Sequence, residues 1–341
     1  MLRKLSWLFV LFVLEVASPR GVFAQEPFYT GKIVRIIVGF SAGGGFDTYA
    51  RVIARHMGKH IPGGPAIIVE NMPGAGSLIA ANHGYNTAKP DGLTINNWIG
   101  GLVLQAVLGG KGVQFQAPNF GWVGALQDSQ SCGLTKASGV SNVQEWLAAK
   151  NPIKLGGTAS GSTDVDIPKI LKATLALPIQ LVEGYKGTAD IRIAADSGEV
   201  SGYCGTWAGM KSTWSQALES GNAHIVLQIN SKKHPDLINV PNAVDLAKTD
   251  EARELIKMGI HYQADISRNF SLPPGTPKER VAILQGAFLQ TTKDKEFLAD
   301  AQKAKLSVEA ISGDDVSRIV SDYSAMKPEV IKKLKEIMLP N

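Results

Sequence analysis

The chain lacks the features that mark nucleic-acid binders, membrane proteins and disulfide-rich scaffolds. Charged residues make up 19% of its 341 residues and the formal net charge is only +5. Its basic residues are scattered, which argues against a nucleic-acid partner. Only two cysteines, Cys132 and Cys204, are present, and their spacing fits neither a metal site nor a redox motif. Beyond the N-terminus, no apolar run approaches the roughly 20 residues of a membrane-spanning helix.

Catalytic signatures are also missing. The chain has no G-x-S-x-G nucleophile motif, which argues against an exported hydrolase. A dinucleotide-dependent enzyme needs G-x-G-x-x-G with an acidic residue about 20 positions later, whereas this chain reads GGGFD over 43–47. His56 and His60 have the i, i+4 spacing of zinc ligands, but no H-E-x-x-H surrounds them, and surface or capping roles are favoured. We therefore expect no enzymatic activity, no metal and no cofactor.

The N-terminus differs from the rest of the chain. Residues 1–24 combine Arg3 and Lys4 with a short apolar stretch and end in the small residue Ala24. This pattern predicts a secretory signal peptide cleaved near Ala24, and an uncleaved membrane anchor is the alternative. Outside the cytoplasm a disulfide between Cys132 and Cys204 is permitted. The sequence alone leaves open whether they form this disulfide or remain two buried thiols.

Glycine is abundant, with 36 residues, and three glycine loops stand out. The first lies in IVRIIVGFSAGGGFD (33–47), where a β-branched apolar run predicts a strand before the loop and a helix after it. The second lies in ENMPGAG (70–76) and the third in GGTASGSTD (156–164), each between another predicted strand and helix. Because the first N–H groups of a helix are unpaired and carry the positive end of its dipole, such loops are anion sites.

Alternating strands and helices predict a mainly parallel sheet covered on both faces. The pattern restarts near Gly121, which indicates two α/β lobes with a ligand cleft between them. Ligands of open α/β sheets bind at the carboxyl ends of the strands, so all three loops should face that cleft. The first helix is expected over 47–60. Asp47 is well suited to N-cap it, and a ligand contact is the alternative.

Several segments closely resemble one known family. They are KIVRIIVGFSAGGGFDTYARVIARHM, IIVENMPGAGSLIAAN and KPDGLTI, followed by LGGTASGSTD, EGYKGTADIRIAADSGEVSGYCG and FSLPPGTPKERVAILQGAF. In this order and spacing they resemble the substrate-binding proteins of tripartite tricarboxylate transporters, known as the Bug family. The resemblance covers nearly all of the chain after the N-terminus.

The resemblance implies a periplasmic binding protein fold of type II with two crossing strands. Lobe 1 would comprise 25–126 and 227–341, and lobe 2 would comprise 127–226. A periplasmic monomer would capture a small carboxylate and deliver it to membrane permease subunits, and a ligand-binding sensor for a membrane signalling receptor is the alternative. The family's ligand-binding positions map onto Phe40, Ser41, Gly44, Asp47, Pro73, Gly74 and Gly76 in lobe 1, and onto Thr158, Ala159, Ser160 and Ser162 in lobe 2.

The chain departs from the family pattern in lobe 2. Typical members have a bulkier, less glycine-rich turn at 157–163. They also carry an acidic residue after the last strand of this lobe, where this chain reads CGTW over 204–207. That acidic residue often helps to choose the ligand, so the ligand stays open. Trp207 would instead supply an aromatic wall, and Lys186 either neutralises a ligand or is a solvated turn lysine.

Overall fold

The computed structural model describes residues 26–185 and 187–339. The predicted signal peptide at 1–24 and Lys186 lie outside the described residues. The strands are β1 (Ile33–Val38), β2 (Ala66–Asn71), β3 (Thr94–Ile99), β4 (Gly121–Leu126), β5 (Gln130–Thr135), β6 (Ile153–Gly157), β7 (Ile179–Glu183), β8 (Gly202–Thr206), β9 (Ala223–Gln228), β10 (Arg268–Leu272) and β11 (Ala310–Ser312).

Helices separate most of these strands. They are α1 (Gly45–Met57), α2 (Leu78–Asn86), α3 (Gly101–Leu108), α4 (Val143–Leu147), α5 (Thr163–Leu175), α6 (Thr188–Asp196), α7 (Trp207–Thr213), α8 (Ser215–Glu219), α9 (Ala243–Leu246), α10 (Asp250–Ile256), α11 (Tyr262–Asp265), α12 (Lys278–Thr291), α13 (Lys295–Lys303), α14 (Gly313–Ser324) and α15 (Pro328–Met338).

The strands form two sheets, with the orders β11-β4-β10-β3-β1-β2 and β7-β6-β8-β5-β9. β1 pairs in parallel with β2 and β3, and β6 with β7 and β8. However, β10 is antiparallel to β3 and β4, and β5 is antiparallel to β8 and β9. The sheets are therefore mixed: four of the six strands of the first sheet and four of the five of the second run in one direction, as predicted, whereas β5, β10 and β11 run against them. The reason is topological, because β5 and β10 each follow a crossing of the chain from the other lobe and enter their sheet in the opposite direction.

The first sheet takes strands from both ends of the chain, and the second takes β5 to β9, from the middle. The predicted two-lobe α/β fold is thus confirmed. β9 continues to Gln228, and α10 packs against α5. The ranges 25–126, 127–226 and 227–341 stay predictions of where the lobes begin and end.

A shared hydrophobic core joins the lobes on one side. The C-terminal helix α15 packs against both α3 of the first lobe and α5 of the second. Its residues Leu334 and Met338 are fully buried in the same cluster as Leu102 of α3 and Ile167 of α5. This packing links the helix that follows β3 in the first lobe to the helix that follows β6 in the second.

The two cysteines lie directly opposite each other on β5 and β8. Cys132 and Cys204 are joined by a disulfide, their Cα atoms are 3.9 Å apart, and both are fully buried. Of the two alternatives that the sequence leaves open, the structure shows the bridge. Among the residues that the structure describes, no helix is both long enough and apolar enough to span a bilayer.

Candidate functional site

The three glycine loops lie where their strands end. We call residues 39–44 loop A, residues 72–77 loop B and residues 158–162 loop C. Loops A and B follow the neighbouring strands β1 and β2, so they lie side by side. They touch at Gly39 and Ser77, where a Cβ atom added to Gly39 would lie 2.3 Å from the Cβ of Ser77. Only glycine permits this approach.

The side chain of Asp47 holds loop A in place through hydrogen bonds. Its carboxylate is 3% exposed and accepts hydrogen bonds from the Gly43 N–H at 2.8 Å, from Arg51 Nε at 2.9 Å and from Asn71 Nδ2 at 2.9 Å. Chiefly because of the Arg51 hydrogen bond, the pKa of Asp47 falls to about 2. The bonds from Gly43 and Asn71 hold the loop to the end of β2.

The prediction that Asp47 N-caps α1 is wrong. The helix begins at Gly45, with Gly44 as N-cap and no side-chain cap. Because the helix starts two residues earlier than the apolar spacing indicates, Asp47 is its third residue and reaches back to Gly43. The helix proper also ends at Met57, and a 3-10 turn continues to His60.

A buried arginine, Arg268, packs against the helix that follows loop A, and the sequence analysis did not identify it. The Arg268 guanidinium lies 5.1 Å from the ring of Phe46 and 4.3 Å from that of Tyr49, both on α1. It also forms an ion pair with Asp128, which lies in the crossing between β4 and β5. Arg268 thereby connects the helix behind loop A to the interlobe crossing. The only signal in the sequence is an arginine at the start of a buried strand.

Loop B has an unusual backbone. Gly74, Ala75, Gly76 and Ser77 have φ angles of 143°, 47°, 59° and 70°. The left-handed conformation of Ala75 and Ser77 is unfavourable for non-glycine residues and costs on the order of 1 kcal/mol or more each. Such strain persists where surrounding structure enforces it, and here the buried Ser77 Oγ accepts the Ile99 N–H at 3.1 Å. Strained backbone of this kind clusters at ligand sites.

Loop C contacts the first lobe and the C-terminal helix. A Cβ atom added to Gly101, the first residue of α3, would lie 2.8 Å from the Gly161 carbonyl oxygen. The Ser160 hydroxyl donates to the carbonyl oxygen of Met338 at 3.4 Å, a contact that sequence reasoning missed. The two lobes therefore meet at loop C, and Ser160 and the neighbouring Ala159 stay exposed.

Two buried acidic residues hold loop C. Asp164 Oδ1 accepts from the Thr158 N–H at 3.1 Å and from the Thr158 hydroxyl at 2.8 Å, and the Ser162 hydroxyl lies 2.5 Å from the same oxygen. Asp166 Oδ1 accepts from the Gly161 N–H at 3.1 Å. Burial raises the pKa of both carboxyl groups, and that of Asp166 reaches about 7. The sequence signal for both is their place in the first turn of α5, where acidic residues favour the helix dipole.

Trp207 lies on the same edge of the second sheet as loop C. It begins α7 directly after β8, the parallel neighbour of β6. Its indole Nε1 donates to Asp236 Oδ2 at 3.0 Å, and Lys211 Nζ lies 5.3 Å from the ring centroid. Trp207 is thus oriented by a hydrogen bond and remains partly exposed.

The remaining predicted positions are accessible. Ser41, Gly44, Pro73 and Gly76 are exposed, whereas Phe40 and Gly74 are partly buried. The structure brings the loop A and loop B residues together and places Thr158, Ala159, Ser160 and Ser162 in the other lobe. The role of all these residues in binding stays a prediction.

His56 of α1 and His60 of the following 3-10 turn both lie against acidic side chains. His56 Nε2 lies 3.0 Å from Asp300 Oδ2, and His60 Nε2 lies 3.2 Å from Asp294 Oδ2. Lys59 lies between them, and its ammonium group is 2.9 Å from the Asp294 carboxylate. Since a lysine ammonium already neutralises the acidic group here, these contacts favour a packing role for the histidines.

Comparison with known proteins identifies the family. The family model described as the tripartite tricarboxylate transporter family receptor matches residues 49–335. The chain belongs to this receptor family. A curated relative, the UPF0065 protein in the gbd 5′ region of Cupriavidus necator, is 23% identical over 329 residues, which cover 91% of this chain and 90% of the relative.

Solved structures of receptors share the fold. MatC from Rhodopseudomonas palustris with bound malate has a TM-score of 0.66 and 20% identity, and the alignment covers 90% of this chain and 99% of MatC. Another R. palustris protein, with adipate, has a TM-score of 0.68 and 22% identity, covering 90% of this chain and 98% of that protein. The resemblance to the Bug family and the periplasmic binding protein fold are confirmed, and the family consists of solute receptors rather than enzymes.

Proposed function

We propose that this receptor captures a small carboxylate in the cleft between its lobes and delivers it to the permease of a tripartite tricarboxylate transporter. The observation that carries the proposal is the contact between loops A and B at Gly39 and Ser77. Both loops lie at the carboxyl ends of adjacent parallel strands, and they lead into the N-termini of α1 and α2. Two helix N-termini with glycine-rich backbone suit one carboxylate group.

One ligand carboxylate would lie on the N–H groups of loops A and B. Asp47 would act indirectly, because its carboxylate points to Gly43, Arg51 and Asn71 and fixes loop A before the ligand arrives. Preorganised backbone donors cost little entropy on binding. The candidate contacts in the first lobe are therefore the exposed or partly exposed positions Phe40, Ser41, Gly44, Pro73, Gly74 and Gly76.

The second lobe would close over the rest of the ligand. Ala159 and Ser160 are exposed on loop C, and Trp207 presents a partly exposed ring on the same edge of the sheet. Binding energy would shift an open-to-closed equilibrium, and the permease would recognise the closed form. The known relatives with malate and adipate support carboxylates as the ligand class.

Export to the periplasm is part of this proposal. The sequence pattern of residues 1–24 supports a signal peptide cleaved near Ala24. N-terminal sequencing of the protein recovered from the periplasm should find a mature chain that begins near Gln25. Recovery of the full-length chain in the membrane fraction would favour an uncleaved anchor instead.

A thermal-shift screen tests the ligand class. The protein is unfolded, dialysed and refolded to remove bound ligand, and is then heated with mono-, di- and aromatic carboxylates. A ligand that binds only the folded state raises the melting temperature, by mass action. The primary amide of each compound that scores is the matched control, and it should give no shift. Absence of a shift with every carboxylate at millimolar concentration would refute the proposal.

A further inference from the structure

Arg268 lies at the edge of the first sheet from which loop A leaves. It is the first residue of β10 and lies opposite Ile99, the last residue of β3, and Leu126, the last residue of β4. β3 is in turn the parallel neighbour of β1, the strand that leads into loop A. Because the Arg268 side chain is only 7% exposed, a buried cation lies at the same edge of the sheet as loop A.

The guanidinium of Arg268 packs on the beginning of α1. Its central carbon lies 5.1 Å from the centroid of the Phe46 ring and 4.3 Å from that of Tyr49. A Cβ atom added to Gly45, the first residue of the helix, would lie 3.7 Å from Nη2. A cation is attracted to aromatic faces, but a positive charge is unfavourable at the N-terminal end of a helix. The stability of α1 alone therefore does not account for an arginine at this end.

Phe46 lies between Arg268 and loop A. Its ring centroid is 4.3 Å from that of Phe40, and the two ring planes are tilted by 32°. Both residues are only partly buried, so Phe40 depends on the ring of Phe46 for part of its packing. Phe40 is one of the lobe 1 positions at which we expect a ligand contact. Arg268 is thus connected to a candidate ligand contact through one aromatic ring.

On its other side Arg268 is bound to the crossings between the lobes. Asp128 lies in the crossing between β4 and β5, its side chain is 2% exposed, and it forms the ion pair with Arg268. The same carboxylate accepts from the Ser267 hydroxyl at 2.9 Å, and the Asp128 N–H donates to the Ala264 carbonyl oxygen at 3.1 Å, both in the crossing before β10. Within the described residues, Arg268 Nε has no hydrogen-bond partner. The position of the guanidinium therefore depends on Asp128 and on the rings.

We propose that Arg268 is a positioning residue for ligand binding, that it acts through Phe46 on Phe40 of loop A, and that its ion pair with Asp128 couples loop A to the interlobe crossing. Lobes close by backbone changes at a few connecting residues, so a shift of Asp128 would move the guanidinium and the ring that packs on it. The inference rests on the proposed function, because it assumes that the ligand lies on loop A.

Isothermal titration calorimetry on the refolded protein tests the role of Arg268. The probes are propionate, benzoate, malate and adipate, of which the last two are carried by structural neighbours. Arg268→Lys keeps a positive charge for Asp128 but loses the planar group that packs on the rings, so the folded variant should bind about tenfold more weakly. Arg280→Lys is the matched control, because the Arg280 guanidinium also lies over a ring, 3.6 Å from that of Phe28, but does not contact loop A; its affinity should be unchanged.

Urea unfolding of the same variants separates positioning from stability. If Arg268 has only a structural role, Arg268→Lys lowers the free energy of unfolding but the folded protein binds with wild-type affinity, and that result overturns the inference while the proposed function stands. If the wild-type protein binds none of the probes, both the proposed function and the inference are refuted.

A double-mutant cycle tests the route through Phe46. Phe46→Leu removes the ring between Arg268 and Phe40 and should weaken binding about tenfold. If both residues act by this one route, the double variant should also bind only about tenfold more weakly, whereas independent effects multiply to about a hundredfold. The control cycle, Phe28→Leu with Arg280→Lys, should leave the affinity unchanged.

Multiplied effects in the cycle, or an unchanged affinity in Phe46→Leu, refute the route. Phe46 is partly exposed, so its substitution is the milder of the two. If Arg268→Lys does not fold, the affinity of Phe46→Leu still decides the inference.

Discussion

Replacing Asp47 by alanine should both destabilise the protein and disorder loop A. The substitution leaves the Gly43 N–H and the Asn71 amide without their acceptor and removes the ion pair with Arg51. Hydrogen bonds to a buried charged group contribute about 1.5–3 kcal/mol. The pKa of about 2, against 3.8 for the free side chain, corresponds independently to about 2 kcal/mol at neutral pH. We expect a loss of about 2–3 kcal/mol in the free energy of unfolding.

The pH dependence provides a second measurement. Because the pKa of Asp47 is lower in the folded than in the unfolded protein, its contribution is fully present above about pH 4 and is lost as the pH falls toward about 2. The difference in unfolding free energy between the wild-type protein and the Asp47→Ala variant, measured by urea titration, should therefore shrink over this interval. The affinity of the variant for its carboxylate should fall about tenfold even at pH 7, since loop A loses its support.

Glu70→Ala is the matched control. It removes another carboxylate paired with an arginine of the first sheet, but both side chains of the Arg35–Glu70 pair are about half exposed. Exposed pairs contribute no more than about 1 kcal/mol, and this one lies outside loop A. If Asp47→Ala and Glu70→Ala destabilise equally, or if the stability difference for Asp47→Ala does not change between pH 4 and 2, the support attributed to Asp47 is refuted.

Three further substitutions probe the site and the fold. Gly39→Ala should weaken carboxylate binding by about tenfold or more in calorimetry, because its Cβ would lie 2.3 Å from the facing serine Cβ; Gly286→Ala, which meets nothing within 4 Å, should leave binding unchanged. The double substitution of Cys132 and Cys204 by serine should lower the free energy of unfolding, measured by urea titration, by about 2–5 kcal/mol. The comparison is the wild-type protein unfolded by urea in the presence of a reductant. Trp207→Ala should weaken binding about tenfold, whereas Trp207→Phe should retain most of the affinity. If calorimetry finds the same affinity for Trp207→Ala as for the wild-type protein, Trp207 does not form a wall of the binding site.

The sequence predicts the individual strands, glycine loops and helices well, because short stretches of neighbouring residues determine them. The β-branched run before loop A gives β1, with Val34, Ile36 and Val38 fully buried, since such residues pack well on a pleated surface. The spacing of Tyr49, Val52, Ile53 and Met57 correctly predicts the buried face of α1. The order of strand, glycine loop and helix is likewise correct at loops A, B and C, and the resemblance that depends on these segments identifies the family.

Only the tertiary structure shows which acceptor each N–H and hydroxyl group of the loops is hydrogen-bonded to. Asp47, Asp164 and Asp166 all occupy the first turn of a helix, and for Asp47 the sequence predicts an N-cap. The folded chain shows instead that they accept hydrogen bonds from the loops, because a buried carboxylate must find donors and the nearest are those N–H groups and hydroxyls. In loop C the N–H groups of Thr158 and Gly161 are therefore paired within the chain.

The direction and pairing of strands also depend on the whole chain. Nothing in the sequences of β5 and β10 marks their direction, yet they run antiparallel because the chain has just crossed between the lobes. The same antiparallel pairing of β5 with β8 places Cys132 opposite Cys204, which spacing in the sequence could not establish. Periodicity therefore determined the elements and their glycine loops, whereas long-range topology determined which loops, acidic groups and cysteines meet.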